Sequence, residues 1–144
     1  MARLMALDYG KRRTGIAVSD PLQIIASGLD TVDTSQLLEY VKNYIARESV
    51  ERIVMGMPTQ PNGAPSENAA RVAEFAGRLR KAVSVPVEFY DERFTSVMAH
   101  QAMLDGGLHR KARQNKALVD KISATIILQS YMESHRNQQI QNHI

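Results

Sequence analysis

The segment LMALDYGKRRTGIAVSD, residues 4–20, constrains the fold of this chain more than any other. The apolar residues before Asp8 fall on both faces of a predicted strand, which is typical of a strand in the middle of a sheet. Gly10 permits a turn, and an apolar run that begins at Gly15 returns as a second strand. The segment therefore predicts a β-hairpin whose central strand ends in a carboxylate.

Asp8 has two interpretations at this point. In the simpler one its carboxylate accepts a hydrogen bond from the backbone near Gly10 and opens the turn, as in many Asp-x-Gly sequences. In the other it belongs to a functional site. A carboxylate so close to a core costs free energy unless it has partners, so the rest of the chain must supply them.

The size and composition of the chain favour one domain. With 144 residues and 44% hydrophobic content, the chain can form one core, which we assign to residues 1–134. The polar residues 135–144 are expected to form a flexible tail. The absence of cysteine excludes disulfides, thiolate zinc sites and thiol nucleophiles.

Charge and hydropathy limit the cellular compartments and the classes of partner that suit this chain. Asp8 interrupts the N-terminal segment before a signal sequence could develop, and no apolar run reaches membrane-spanning length, which predicts a cytoplasmic protein. The net charge is +3, the calculated pI is 9.3, and the cations are clustered. These values favour an anionic partner.

A strand, a helix and another strand follow the hairpin. Residues 24–32 predict a weaker strand at the edge of the sheet. Asp33 and Gln36 resemble a capping box for an amphipathic helix over residues 35–49. The apolar run 52–57 is typical of a buried parallel strand, so the three elements predict a crossover unit.

A second crossover ends in two adjacent acids. The loop 59–65 begins at the carboxyl end of a parallel strand, where it could be a functional lip or a plain connector. After a helix that Ser66 could cap, residues 85–92 predict a strand ending at Asp91 and Glu92. These acids could equally be a solvated strand end paired with Arg93, with Thr95 or Ser96 capping a helix that stops at Gly106.

The last helix is predicted from Asn115 to about Ser134. Its spacing places Asp120 on the same stripe as Ala124, Ile127 and Tyr131, so this carboxylate faces the sheet. A sheet-facing carboxylate needs an arginine, a hydrogen-bond network or a cation beside it. Arg93 or a metal ion is the expected partner.

Four segments of the chain, in this order, resemble the YqgF family, whose members are described as Holliday junction resolvases or pre-16S rRNA nucleases. The resemblance implies an α/β, ribonuclease-H-like fold, in which a five-stranded mixed sheet with its first three strands antiparallel is flanked by about four helices. It also implies a catalytic, metal-ligating triad of Asp8, Glu92 and Asp120. Alternation along the predicted strand puts Asp91 on the face of Val87 and Phe89 and leaves either Asp91 or Glu92 as the ligand, whereas the resemblance favours Glu92, with Asp91 orienting Arg93. The segments are ALDYGKRRTGIAVSD, IVMGMPTQPNG, FYDERFTSVMA and KALVDKISATIILQSYME.

The implied activity is metal-dependent hydrolysis of a phosphodiester. Two Mg²⁺ or Mn²⁺ ions about 4 Å apart, held by carboxylates and bound fully only with substrate, would activate water and stabilise the leaving oxygen. Processing of the 5′ end of pre-16S rRNA is favoured, and branched DNA is the alternative. The protein could act as a monomer or a homodimer. The expected substrate-binding residues are Lys11, Arg12, Arg13, Thr14, Arg93, Thr95, Arg110, Lys111, Arg113 and Lys116.

Two other classes of function are weighed against the nuclease. The hairpin after Asp8 resembles the phosphate-binding segment of sugar-kinase and actin-type phosphotransferases, but these enzymes close two similar domains around a nucleotide and this chain holds one. A non-catalytic module that binds nucleic acid or the ribosome could keep the same fold, with Asp8 and Asp120 in structural roles. Metal-dependent cleavage that Asp8→Asn abolishes would separate the nuclease from this module.

Overall fold

The computed structural model describes residues 2–58, 67–91 and 115–142, with side chains in the last range described as far as His135. These residues form a five-stranded sheet in the order β3-β2-β1-β4-β5. A 3-10 turn, Thr34–Gln36, precedes the first α-helix. The elements are β1 (Arg3–Tyr9), β2 (Arg13–Ser19), β3 (Ala26–Asp33), α1 (Leu37–Arg47), β4 (Val50–Met57), α2 (Glu67–Ala82), β5 (Val87–Asp91) and α3 (Lys116–Asn142).

The strand pairing confirms the predicted topology. β1 pairs antiparallel with β2, and β2 pairs antiparallel with β3, which lies at the edge of the sheet. On its other side β1 is parallel to β4, and β4 is parallel to β5. Because β1 is central, its last residues lie in the middle of the end of the sheet where β1, β4 and β5 have their carboxyl ends. The predicted helix from Ser96 to Gly106 lies outside the described residues, so three α-helices are described here.

The sheet separates two apolar layers. Helices α1 and α2 cover one face, and α3 covers the other. The alternation of side chains along β1 sends odd-numbered residues to α1 and α2 and even-numbered residues to α3. The first layer contains Met5, Leu7, Ile16, Leu37, Val41, Ile53, Met55, Val72 and Leu79; the second contains Leu4, Ala6, Ala17, Val54, Ala124, Ile127 and Leu128.

The predicted capping box before α1 is wrong. Asp33 makes no side-chain capping hydrogen bond, and a 3-10 turn separates it from the start of α1 at Leu37. Asp33 instead continues β3, where it pairs with Arg13. The backbone N–H of Thr34 donates to the carbonyl of Arg12 at 2.9 Å. A tertiary contact to the hairpin loop has therefore replaced the local cap.

Helix α3 extends further than the sequence pattern indicated. The sequence pattern predicts an end near Ser134, and the helix continues to Asn142. The added segment lacks an apolar stripe, but it contains no proline or glycine that would stop a helix. Extending an existing helix is also easier than starting one. The expected flexibility of residues 135–144 stays a prediction.

Every helix in residues 2–58, 67–91 and 115–142 is too short or too polar to span a membrane.

Candidate active site

Asp8 lies at the carboxyl end of the central strand, on the face that α3 covers. Leu4 and Ala6, the even-numbered residues before it on β1, pack against α3. Across the hairpin, Asp8 is the register partner of Gly15 on β2. Alternation along the strand therefore directs the carboxylate of Asp8 toward the first turns of α3.

Gly15 lets the backbone of α3 approach the sheet beside Asp8. A Cβ built on Gly15 would overlap the carbonyl group of Asp120, so no side chain fits at this position. Asp120 thus sits directly over the residue that pairs with Asp8. The backbone of Asp120 therefore lies next to the residue that pairs with Asp8, at the carboxyl end of the central strand, and the side chain of Asp120 is directed to Arg13 of β2.

The start of α3 is fixed by a side-chain cap. The Asn115 Oδ1 atom accepts a hydrogen bond from the backbone N–H of Leu118 at 3.2 Å, as an N-cap residue does. The helix therefore begins at the predicted place, one turn before Asp120. Lys116, an expected substrate-binding residue, is exposed in this first turn.

Within the described part of the chain, the charged partner of Asp120 is Arg13, where the sequence pattern predicts Arg93 or a metal ion. The Arg13 Nε atom lies 3.0 Å from the Asp120 Oδ2 atom. The side chains are 38% and 24% exposed, respectively, so water reaches both of them. An ion pair this exposed contributes at most about 1 kcal/mol to stability. Arg93 itself lies outside the described residues.

Thr34 fixes the backbone of the loop between β1 and β2. The Thr34 hydroxyl donates to the carbonyl oxygen of Gly10 at 2.7 Å, and its backbone N–H donates to Arg12. Gly10 is required in this turn because a Cβ there would lie 2.4 Å from the carbonyl oxygen of Arg13. The loop therefore presents the exposed side chains of Lys11 and Arg12 from a fixed backbone.

Thr14 has a different environment from the one expected of a substrate-binding residue. Its side chain is fully buried, and its hydroxyl lies 3.0 Å from the hydroxyl of Thr34. Since Thr34 already donates its proton to Gly10, Thr14 is the donor between the two hydroxyls. Thr14 thus supports the loop and does not reach solvent, because both faces of β2 are covered from Thr14 onward.

The alternation along β5 separates Asp91 from the face of Asp8. Tyr90 hydrogen-bonds Ser130 of α3 at 2.7 Å, while the Phe89 ring lies under Arg80 of α2, 5.1 Å from the guanidinium carbon. Even-numbered residues of β5 therefore face α3, and Asp91 follows the odd-numbered set. The expected site residues outside the described ranges are Glu92, Arg93, Thr95, Arg110, Lys111 and Arg113.

The described donor atoms fit a hard divalent cation only in part. Within residues 2–58, 67–91 and 115–142, no group of three or more histidine, cysteine or acidic side chains surrounds one point. Asp8 and Asp120 supply two carboxylates at the same end of the sheet, near the carboxyl end of β1. Mg²⁺ is commonly held by one or two carboxylates together with substrate phosphate oxygens, so the two described carboxylates would form part of a site that the substrate completes.

A polar network that the sequence pattern does not indicate joins the middle of α3 to the sheet. The Tyr131 hydroxyl donates to the Glu88 carboxylate, and the Arg52 Nη1 atom donates to Tyr131 at 3.0 Å. Burial, followed by the hydrogen bond to Glu88, raises the pKa of Tyr131. The hydrogen bond to Tyr131 raises the pKa of Arg52. This network joins α3 to β4 and β5, and so fixes the helix whose first turns carry Asp120.

Comparison with known proteins identifies the relatives of this chain. The family model described as "RuvX: Holliday junction resolvase" matches residues 2–134. A protein of Phocaeicola vulgatus named "Putative pre-16S rRNA nuclease" is 62% identical over 94% of this chain and 99% of its own length. A protein of the same name from Bacteroides fragilis is 58% identical over the same shares.

Solved structures confirm the ribonuclease-H-like fold class. T. thermophilus RuvC in complex with a Holliday junction substrate has a TM-score of 0.55 and 18% identity, over 92% of this chain and 96% of that chain. The fowlpox virus Holliday junction resolvase has a TM-score of 0.52 and 13% identity, over 92% and 99%. At such identities the likeness establishes the fold alone. The family match and the curated relatives together establish that this chain belongs to the RuvX family, also called YqgF, as its motifs predicted.

Proposed function

We propose that this protein is a metal-dependent nuclease that hydrolyses phosphodiester bonds in nucleic acid. The observation that carries the proposal is the approach of the Asp120 backbone to Gly15, the register partner of Asp8, at the end of the sheet where the hairpin loop exposes the cations Lys11 and Arg12. Carboxylates next to cations match a phosphodiester substrate, because the first bind metal and the second bind phosphate. The nuclease names of the curated relatives agree with this assignment.

Asp8, Asp120 and Glu92 are the proposed catalytic ligands. Bound Mg²⁺ or Mn²⁺, in one or two sites, supplies an activated water and charge stabilisation at the leaving oxygen. Asp8 is oriented by the central strand, and Asp120 is oriented by the helix that Asn115 caps. Both ligands therefore come from backbone that packing has fixed, which favours a preorganised site.

We assign the third acidic position to Glu92 and not to Asp91. Asp91 belongs to the odd-numbered residues of β5, which face α2, whereas Asp8 lies on the face of α3. Glu92 directly follows β5 and shares the parity of Tyr90, which contacts α3, so parity favours Glu92 over Asp91 as the ligand. Asp91 is proposed to orient Arg93, which with Thr95 and the cations at 110, 111, 113 and 116 would bind the substrate backbone.

The proposed substrate is the 5′ region of pre-16S ribosomal RNA, which would place the protein in the cytoplasm with ribosome precursors. This choice rests on the names of the curated relatives. The contacts available in the hairpin loop are to phosphates, which give affinity without sequence information. Selection of the cleavage point would then depend on the shape of the RNA or on the precursor particle.

Resolution of a Holliday junction is the second candidate, because the matching family model carries that description. A junction has two-fold symmetry, so a resolvase must present two active sites and act as a homodimer. A nuclease that processes RNA can act as a monomer. A non-catalytic binding module is the third candidate, and it requires no metal.

The deciding experiment offers purified protein an RNA that spans the pre-16S 5′ end and a four-way DNA junction, each with and without Mg²⁺. Metal-dependent cleavage of the RNA that Asp8→Asn abolishes supports the proposal. Glu39→Gln is the matched control, because Glu39 is exposed on α1, on the opposite face of the sheet. Cleavage of the junction alone, by a species that sediments as a dimer, favours the resolvase. Binding of either nucleic acid without cleavage favours the non-catalytic module.

A further inference from the structure

Arg13 contacts a proposed metal ligand from within the proposed phosphate-binding loop. It is the first residue of β2, directly after the exposed cations Lys11 and Arg12. Its guanidinium, however, is directed to the Asp120 carboxylate at 3.0 Å. One side chain therefore stands between the part of the surface suited to phosphate and the part suited to a cation.

We propose that Arg13 is a positioning residue that couples substrate binding to the metal site. The guanidinium of Arg13 pairs with the Asp120 carboxylate while no nucleic acid is bound, and it moves to a backbone phosphate when the substrate binds. Asp120 is then available to the divalent cation. The inference rests on the proposed function, because it takes Asp120 as a metal ligand and the loop as a phosphate contact.

The contact has the properties of a partner that can be exchanged. Both side chains are partly exposed, at 38% and 24%, so breaking the pair strands neither charge in an apolar environment. Guanidinium groups bind phosphate with two parallel hydrogen bonds, which makes a phosphate a strong competitor for Arg13. The exchange therefore replaces one charged hydrogen bond with others of at least equal strength.

The surrounding backbone does not need to move during this exchange. Asp120 is fixed by the approach of α3 to Gly15, and the loop is fixed by the two hydrogen bonds from Thr34 to Gly10 and Arg12. Only the long side chain of Arg13 has to change its rotamers. Release of Asp120 is thus a local side-chain event, faster than any rearrangement of the fold.

The coupling predicts a reciprocal effect on binding. If phosphate and cation both require Arg13 to leave Asp120, each ligand increases the affinity for the other. Phosphate oxygens of the substrate also ligate the cation directly, so an effect of nucleic acid alone would not identify Arg13. The free protein provides the cleaner measurement, because no phosphate is present.

The experiment measures Mn²⁺ affinity by the electron paramagnetic resonance signal of free Mn²⁺, in the wild type, Arg13→Gln, Asp120→Asn and the double variant. Arg13→Gln is expected to bind Mn²⁺ about fivefold more tightly than the wild type, which corresponds to about 1 kcal/mol. The double variant should show no gain over Asp120→Asn, because the effect of Arg13 passes through that carboxylate. Arg13→Lys should keep part of the wild-type behaviour.

Arg12→Gln is the matched control, since it removes the same charge from the same loop. Its Mn²⁺ affinity in the free protein should equal that of the wild type, whereas its affinity for a phosphorothioate RNA hairpin should fall. This hairpin should raise the Mn²⁺ affinity of Arg13→Gln by a smaller factor than that of the wild type. Circular dichroism of each variant excludes a loss of folding as the cause.

Two failures can be distinguished. If Asp120→Asn weakens Mn²⁺ binding but Arg13→Gln behaves like Arg12→Gln, Asp120 is a ligand and the coupling by Arg13 is wrong. The coupling is equally wrong if Arg13→Gln tightens binding in the Asp120→Asn background as well. If Asp120→Asn leaves Mn²⁺ affinity unchanged, the proposed metal site itself is wrong, and the cleavage assay then decides whether any nuclease activity remains.

Discussion

The carbonyl group of Asp120 lies against Gly15, in the space that a side chain on Gly15 would fill. This contact joins the first turns of α3 to the hairpin and brings Asp120 beside Asp8, the register partner of Gly15. The geometry of the proposed site therefore depends on the absence of one methyl group in β2.

Gly15→Ala should push α3 away from the sheet. We expect a loss of about 1 to 3 kcal/mol in the free energy of unfolding, as for other insertions into packed regions, and a loss of metal-dependent stabilisation. Denaturant unfolding with and without Mg²⁺ measures both. Gly77→Ala in α2 is the matched control, because a Cβ there meets nothing within 4 Å. It should raise stability by about 0.5 to 1 kcal/mol. Equal effects of the two substitutions would contradict the role given to Gly15.

Thr34→Val should weaken both the fold and the loop. It removes the hydroxyl that donates to Gly10 and leaves the buried hydroxyl of Thr14 without its acceptor. An unsatisfied buried polar group costs about 1 to 3 kcal/mol. Thr34→Ser keeps the hydroxyl and should keep most of the stability. Thermal melting gives the first effect, and the affinity for an RNA hairpin should also fall in Thr34→Val. An unchanged affinity would mean that Thr34 supports the fold without organising the loop for phosphate.

Much of this arrangement could be predicted from the sequence, because it depends on local periodicity. The alternation before Asp8 indicated a central strand, and the helical stripe that contains Asp120 indicated a sheet-facing carboxylate. The central strand is confirmed, and the side chain of Asp120 is directed to Arg13 of β2. The pairing of Asp120 with Arg13 could not be predicted, since no local pattern connects residues so far apart in the chain. The capping pattern of Asp33 and Gln36 misled for the same reason: a contact from the distant hairpin replaced it.

The burial of Thr14 shows a second limit of the sequence. A threonine after three cations resembles an exposed loop residue, but β2 begins at Arg13, two residues before the predicted start at Gly15, and the side chain of Thr14 is buried. The residue at which the loop ends and β2 begins is set by the register of the hairpin. That register depends on the whole sheet and not on the residues of the loop alone.

Tyr131→Phe tests the network that joins the middle of α3 to β4 and β5. Removing the hydroxyl between Glu88 and Arg52 should lower stability at neutral pH by about 1 kcal/mol. The raised pKa of Tyr131 means that the folded state favours the neutral phenol. That contribution is complete below the ordinary value of 10.0 and is lost as the pH rises through the higher pKa of the folded state.

The wild type should therefore lose stability above pH 10 more steeply than Tyr131→Phe does. Denaturant unfolding as a function of pH checks this. Tyr40→Phe is a useful comparison, because burial raises the pKa of Tyr40 as well, at a site on α1 away from this network. Parallel pH curves for the wild type and Tyr131→Phe would show that the hydroxyl does not contribute in the way described.

The central claim is that Asp120 is a metal ligand and not half of a structural ion pair. Thermal melting of Asp120→Asn, with and without Mg²⁺, tests it most directly. Its partly exposed pair with Arg13 contributes at most about 1 kcal/mol, and removal of one of several neighbouring carboxylates relieves repulsion. We expect a metal-free melting temperature of Asp120→Asn near or above that of the wild type, with no Mg²⁺-dependent increase and no cleavage. A clear fall in the metal-free melting temperature, together with a Mg²⁺-dependent increase as large as that of the wild type, would contradict it.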